Sequence, residues 1–173
     1  AVFSAFAEGV SLYSAFAVLY SFQMRNLLKG IGQQMKWSVR DESLHSKMGC
    51  QLYRDMCNED NQLMHLCRED IITAAKDMVA LEMEYIDKMF EMGDIEGISS
   101  NDLKHFMKKR TKDKHVELGY VDLGSFFAYD DKAAAKLDWF YHRPGGVTYT
   151  DVLANRPTDY FKAGEGEDLE DIW

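Results

Sequence analysis

From Ala1 to Phe22 the chain is apolar on every side: Glu8 is the single charged residue, and Ser4, Ser11, Ser14 and Ser21 are small polar interruptions. This run predicts a helix from about Val2 to Lys29, ended by Gly30 and Gly32. A helix apolar all round must be surrounded by neighbours in a large bundle. The same run has the length of a membrane span or signal sequence, but it lacks a basic leading region and its serines dilute the hydrophobicity, so a buried helix is the better account. A second helix, about Gln33 to Asn58, lays Met35, Ser38, Glu42, His45, Gly49 and Leu52 along one stripe, and Gly49 lets a neighbour approach closely. A third, roughly Glu59 to Met92, carries Leu63, Leu66, Ile71, Ala75, Met78, Leu81, Tyr85 and Met92 near one side before Gly93 and Gly97 break it. Ser100-Asn101-Asp102 opens a fourth, about Asn101 to Leu118, whose Lys108, Lys109, Arg110, Lys112 and Lys114 read as a solvated face.

After Gly119 the helical period dissolves. Residues 120 to 154 hold a short Ala133-Ala134-Ala135 turn and the aromatic cluster Trp139, Phe140 and Tyr141, and read as irregular structure packed on the bundle. From Asn155 the chain turns polar, acidic and glycine-containing, which predicts disorder in isolation. Leu169, Ile172 and Trp173 are apolar exceptions, so this stretch looks like a peptide that docks in a partner's groove. The organisation expected is therefore a helical domain over residues 1–154 and a flexible tail over 155–173.

Composition agrees with an all-α protein. Two prolines in 173 residues, ten methionines and abundant Ala, Leu, Lys and Glu favour long helices. A net charge of −9 argues against nucleic-acid binding as the main task. Cys50, Cys57 and Cys67 are odd in number and lack C-x-x-C spacing, as expected of reduced thiols at packing positions in a cytoplasmic protein.

Candidate chemistry lies in the first two helices. A carboxylate such as Glu8 inside an apolar helix must be neutralised, paired or bound to metal. Leu12 and Phe16 follow on its face as a dry wall. Glu42 and His45 form a Glu-x-x-His pair, and positions three apart share a helix face. Such pairs also arise on helix surfaces by chance; it is the combination with Glu8 that gives this one weight. Two carboxylates and an imidazole from two helices make half of the ligand set of a ferritin-like dinuclear site. Oxygen-rich ligation with one nitrogen per metal suits iron, manganese or a mixed pair better than zinc. His65, His105, His115 and His142 read as structural or surface residues.

Around Glu8-Gly9-Val10, Tyr13-Ser14-Ala15-Phe16 and Trp37-Ser38-Val39-Arg40-Asp41-Glu42-Ser43-Leu44-His45 the chain resembles the small, radical-generating subunit of class I ribonucleotide reductase. Leu137-Asp138-Trp139-Phe140, Gly146-Val147-Thr148 and Asn155-Arg156-Pro157-Thr158-Asp159-Tyr160 resemble that family's C-terminal region. The resemblance covers the second half of such a subunit. It implies a ferritin-like helical bundle, here partial, with Glu8, Glu42 and His45 as metal ligands. It implies that Asp41 and Tyr160 serve radical transfer, and that the tail with Leu169, Ile172 and Trp173 docks on the large subunit. Counterparts of the family's earlier carboxylate, earlier Glu-x-x-His, radical-bearing tyrosine and partner tryptophan are missing from these residues. The expectation is thus an oxidoreductase half-subunit, active only as a hetero-oligomer with a complementing N-terminal half-subunit chain and the large subunit, and engaging neither nucleic acid nor membrane. The alternatives are a non-catalytic scaffold half, another ferritin-like di-metal oxidase, or a symmetric homodimer that completes the site from two copies.

Overall fold

The computed structural model describes residues 1–121 and 127–142. The expected tail, the boundary at residue 154, and Tyr160, Leu169, Ile172 and Trp173 lie outside the described residues. Among the described residues regular structure is helical, apart from one antiparallel bridge between Ile95 and Ile98, and the expected all-α class holds.

The first predicted helix is a composite. A π-helical segment, Phe3–Ser11, leads into α1, Tyr13–Met24. The chain then turns through Asn26 and Leu28, both left-handed with φ of 60° and 49°. Gly30 and Gly32, expected to end this helix, instead lie within α2, Lys29–Glu59. Gly32 serves contact, since the Gln23 side chain occupies the space a Cβ would fill. The predicted third helix is interrupted. Asp60 is extended at the end of α2, and its carboxylate accepts from the Gln62 N–H at 3.0 Å, which turns the chain into short α3, Leu63–Leu66, and then α4, Arg68–Met89. Gly93 and Gly97 make the expected break with φ of 111° and 84°. Helix α5, Ser100–Leu118, is capped by Ser99, one residue earlier than predicted, whose Oγ accepts from the Asp102 N–H at 3.1 Å. Two short helices follow, α6 (Asp131–Ala135), capped by Asp130, and α7 (Trp139–His142).

The π segment and α1 lie against α2, while α5 packs on the π segment, α2, α4 and α6. Phe6, Val10, Tyr13, Ile86, Leu103 and Phe106 fill the core. The buried face of α2 is Ser43, Ser46, Cys50, Tyr53 and Cys57, one position round from the predicted stripe, and Leu52 is 63% exposed. The shift follows from small residues. Gly49 receives Ser4, and Gly9 receives Ser46 and the Lys114 stem, so the two backbones meet along their smallest side chains. Helix α4 is rotated likewise: Ile71, Ile72, Ala75, Glu82 and Ile86 are buried, whereas Leu81 is 62% exposed. The solvated face expected of α5 is a correction too. Arg110 and Lys114 are 8% and 5% exposed, because their long stems reach into the interior against the π segment. Cys50 and Cys57 are buried free thiols, as expected.

Phe3–Met24 is long and apolar enough to cross a membrane by length and composition, yet 44% of its most apolar window is buried inside this fold. Burial is less complete than the all-round apolar pattern implied, since Phe3 and Leu12 are exposed.

Gly49→Ala places a methyl where Ser4 sits. Chemical denaturation is expected to show a loss of about 1–3 kcal/mol, the usual cost of overfilling a packed contact. Gly30→Ala, whose Cβ would meet open space inside the same helix, is expected to be neutral or stabilising by up to about 1 kcal/mol.

Candidate metal centre

Glu8 projects from the π segment, and Glu42 and His45 project from one face of α2. Each offers a donor atom, and these atoms lie within 4.8 Å of one another. His45 Nδ1 stands 3.5 Å from Glu42 Oε2. Both carboxylates are half-buried and the imidazole is exposed. The three residues singled out in the sequence thus meet at one place. Among the described residues, Glu8 has no hydrogen-bond or ion-pair partner in the protein. A half-buried acidic group without a counter-charge, facing a second carboxylate and an imidazole, fits a hard or borderline cation better than it fits a self-contained polar cluster.

Asp41 is exposed beside this group and has no hydrogen bond to His45 among the described residues. Leu12 is exposed, whereas Phe16 is half-buried with its ring edge-on to Tyr13 at 5.7 Å. The Tyr13 hydroxyl, at the start of α1, ties α1 to α2. It donates to the Val39 carbonyl at 3.3 Å and shares a 2.6 Å hydrogen bond with Ser43 Oγ, on the turn of α2 that carries Glu42. His115 is buried among Phe6 and Phe127, donates from Nδ1 to the Thr111 carbonyl at 2.9 Å, and burial pushes its pKa down. It belongs to the core, as expected. His105 takes the Asp130 N–H at 3.0 Å, a structural role.

Two charged groups that sequence reasoning did not single out grip the first element from behind. Arg110 Nε donates to the Gly9 carbonyl at 2.5 Å, and its guanidinium carbon lies 3.2 Å above the centre of the Tyr13 ring. Glu82, buried in α4, accepts from Ser14 Oγ at the start of α1, with Ser11 beside it. A signal for Glu82 existed: Met78, Glu82 and Ile86 are four apart, so a carboxylate interrupts an apolar row, as Glu8 does. For Arg110 there was none, since lysines flank it on both sides.

A family model described as ribonucleotide reductase, small chain, matches residues 1–123. The chain belongs to that family. The chain is 30% identical over 165 residues to the probable ribonucleoside-diphosphate reductase small subunit 048L of Invertebrate iridescent virus 3, covering 94% of the present chain and 42% of that protein. With subunit 376L of Invertebrate iridescent virus 6 it shares 27% identity, covering all of the present chain and 53% of the relative. The ribonucleoside-diphosphate reductase subunit beta of Chlamydia pneumoniae matches at 33% over 79 residues, covering 45% of this chain and 23% of that one. The chain therefore spans about half the length of the curated relatives that it matches most broadly. Small chains of this family bind a dinuclear metal site, and the Glu8, Glu42 and His45 group has the donor chemistry for part of one.

Burial raises the Glu82 carboxyl from its ordinary 4.5 to about 7, although hydrogen bonds from Ser14 and Ser11 pull the other way. Between these values the native state holds a proton that the unfolded chain releases, so this group's contribution is complete below 4.5 and is lost as pH rises through about 7. The loss is about 3 kcal/mol at one pKa unit per 1.36 kcal/mol. Denaturation curves across this window are expected to show a falling stability whose slope flattens in Glu82→Gln.

Proposed function

We propose that this chain is part of a ribonucleotide reductase small subunit and that Glu8, Glu42 and His45 are its share of the ligands of a dinuclear iron or manganese centre. The observation that carries this reading is the meeting of three donors from two separate elements within 4.8 Å, in a member of this family. Carboxylates on both elements and a single imidazole favour an oxygen-preferring, redox-active metal over a structural zinc. When bound, the dinuclear centre would supply the oxidising equivalent on which nucleotide reduction depends. Glu42 and His45 would hold metal from a rigid helix, Glu8 would close on it from the π segment, and Phe16 would limit water on that side.

The remaining ligands come from polypeptide outside these 173 residues, of the same chain or of a complementing one. A row of exposed apolar side chains on α2, Leu44, Met48, Leu52 and Met56, runs beside His45 and is suited to receive that polypeptide. Asp41, exposed next to the ligands, and Tyr160 are assigned to carrying the oxidising equivalent onward. Leu169, Ile172 and Trp173 are assigned to docking on the large subunit. The assembled enzyme would act in the cytoplasm on ribonucleotides held by that large subunit.

The test is metal analysis of the chain alone and with the polypeptide that completes the small subunit. The expectation is weak binding alone, two ions per completed subunit, and more than about a 10-fold loss of affinity together with loss of nucleotide reduction in Glu42→Ala. Full metal content and reduction in Glu42→Ala would sink the reading. Stoichiometric metal in a dimer of this chain alone would instead favour symmetric pairing of two copies.

A further inference from the structure

A π-helix is rare and usually survives only where surrounding structure supports it. The residue after Glu8 is Gly9, which has more backbone freedom than any other residue type, so an unsupported segment would relax beside the ligand. The fold supplies support on this stretch. Arg110 of α5 donates from Nε to the Gly9 carbonyl at 2.5 Å, and its guanidinium covers the Tyr13 ring. Glu82 of α4 takes the hydroxyl of Ser14, at the start of α1, with Ser11 beside it. Arg110 and Glu82 are both buried ionisable residues outside the Glu8, Glu42 and His45 group. All the groups they engage lie within six residues after Glu8.

We propose that Arg110 and Glu82 are positioning residues for Glu8: from α5 and α4 they clamp the π segment and so fix the direction in which the Glu8 carboxylate leaves the backbone. The inference rests on Glu8 being a ligand. It adds that the ligand's aim is set by two helices that contribute no ligand of their own. Arg110 acts through the peptide next to Glu8, where a small rotation about the flexible Gly9 would swing the carboxylate away from Glu42 and His45. Glu82 acts one turn later by holding the Ser14 hydroxyl where the π segment passes into α1, which stops the wide turn from sliding back into α-helical register.

Co(II) binding to the completed small subunit tests this, because the visible spectrum of Co(II) reports ligand number and geometry independently of turnover. Arg110→Gln and Glu82→Ala are expected to weaken Co(II) binding by about 10-fold and to alter the visible bands. Glu82→Gln keeps an acceptor for Ser14 and is expected to restore both. Arg110→Lys keeps the charge over Tyr13 but loses the Nε donor; it is expected to behave as Arg110→Gln, and it stands in should that variant fail to fold. Asp102→Ala removes an ion pair with Lys136 (3.0 Å) in the first turn of α5, away from the π segment, and controls for general destabilisation. It is expected to lower the melting temperature with Co(II) affinity and bands unchanged. Native affinity and bands in the Arg110 and Glu82 variants, or equal losses in Asp102→Ala, would overturn the clamp. An unchanged spectrum in Glu8→Ala would instead overturn the metal reading itself.

Discussion

How closely the π segment can lie on α2 governs the candidate centre, and that closeness depends on four small side chains. Ser4 sits in the space above Gly49, and Ser46 sits in the space above Gly9. Backbones brought this near leave no room for a register shift of either element, because any larger residue would have to pass a helix surface already in contact. Tyr13 adds a directional constraint through the Val39 carbonyl and Ser43. Glu8 therefore reaches the Glu42 and His45 turn as a consequence of packing, with no direct bond needed between the three side chains to hold them there.

The buried charges around this contact follow from the same arrangement. A guanidinium at 8% exposure is costly unless its donors and its planar face are both used, and Arg110 uses a carbonyl and an aromatic ring. Hydrogen bonds from charged groups contribute roughly 1.5–3 kcal/mol each, enough to offset the irregular backbone they stabilise. Lys114 solves the problem differently: its stem fills the space over Gly9 while its ammonium reaches Glu117 at 2.7 Å, and burial lowers its pKa. Glu82 is held closer to neutrality, which suits a carboxyl surrounded by core rather than by cations.

Much of this was legible in the sequence. Helical class, the break at Gly93 and Gly97, the close approach at Gly49, and the grouping of Glu8 with Glu42 and His45 follow from periodicity and from carboxylates in apolar company. What was misread has a common cause. A stripe drawn by hydrophobicity assigned Leu52 and Leu81 to the interior, but in α2 the interior goes to the smallest residues, so the buried face sits one position round. The run of cations on α5 looked solvated because spacing alone does not reveal that a neighbouring element offers a carbonyl and a ring to Arg110. The π segment left no mark in composition. It is imposed by contacts distant in sequence, such as residue 110 acting on residue 9, which no local pattern encodes.

On the function proposed above, the exposed row Leu44, Met48, Leu52 and Met56 gives completion of the metal site a thermodynamic meaning. Covering large apolar side chains contributes about 1.5–3 kcal/mol for each one fully buried, before the cost of ordering the segment that covers them. On the reading proposed above, that segment also brings the missing ligands, so covering the apolar row and completing the metal site are one event. Metal that binds only the completed site then stabilises the association in proportion to its affinity, and the association raises metal affinity by the same factor. Since His45 is exposed while Glu8 and Glu42 are already half-buried, the imidazole would be the donor whose environment changes most on that completion.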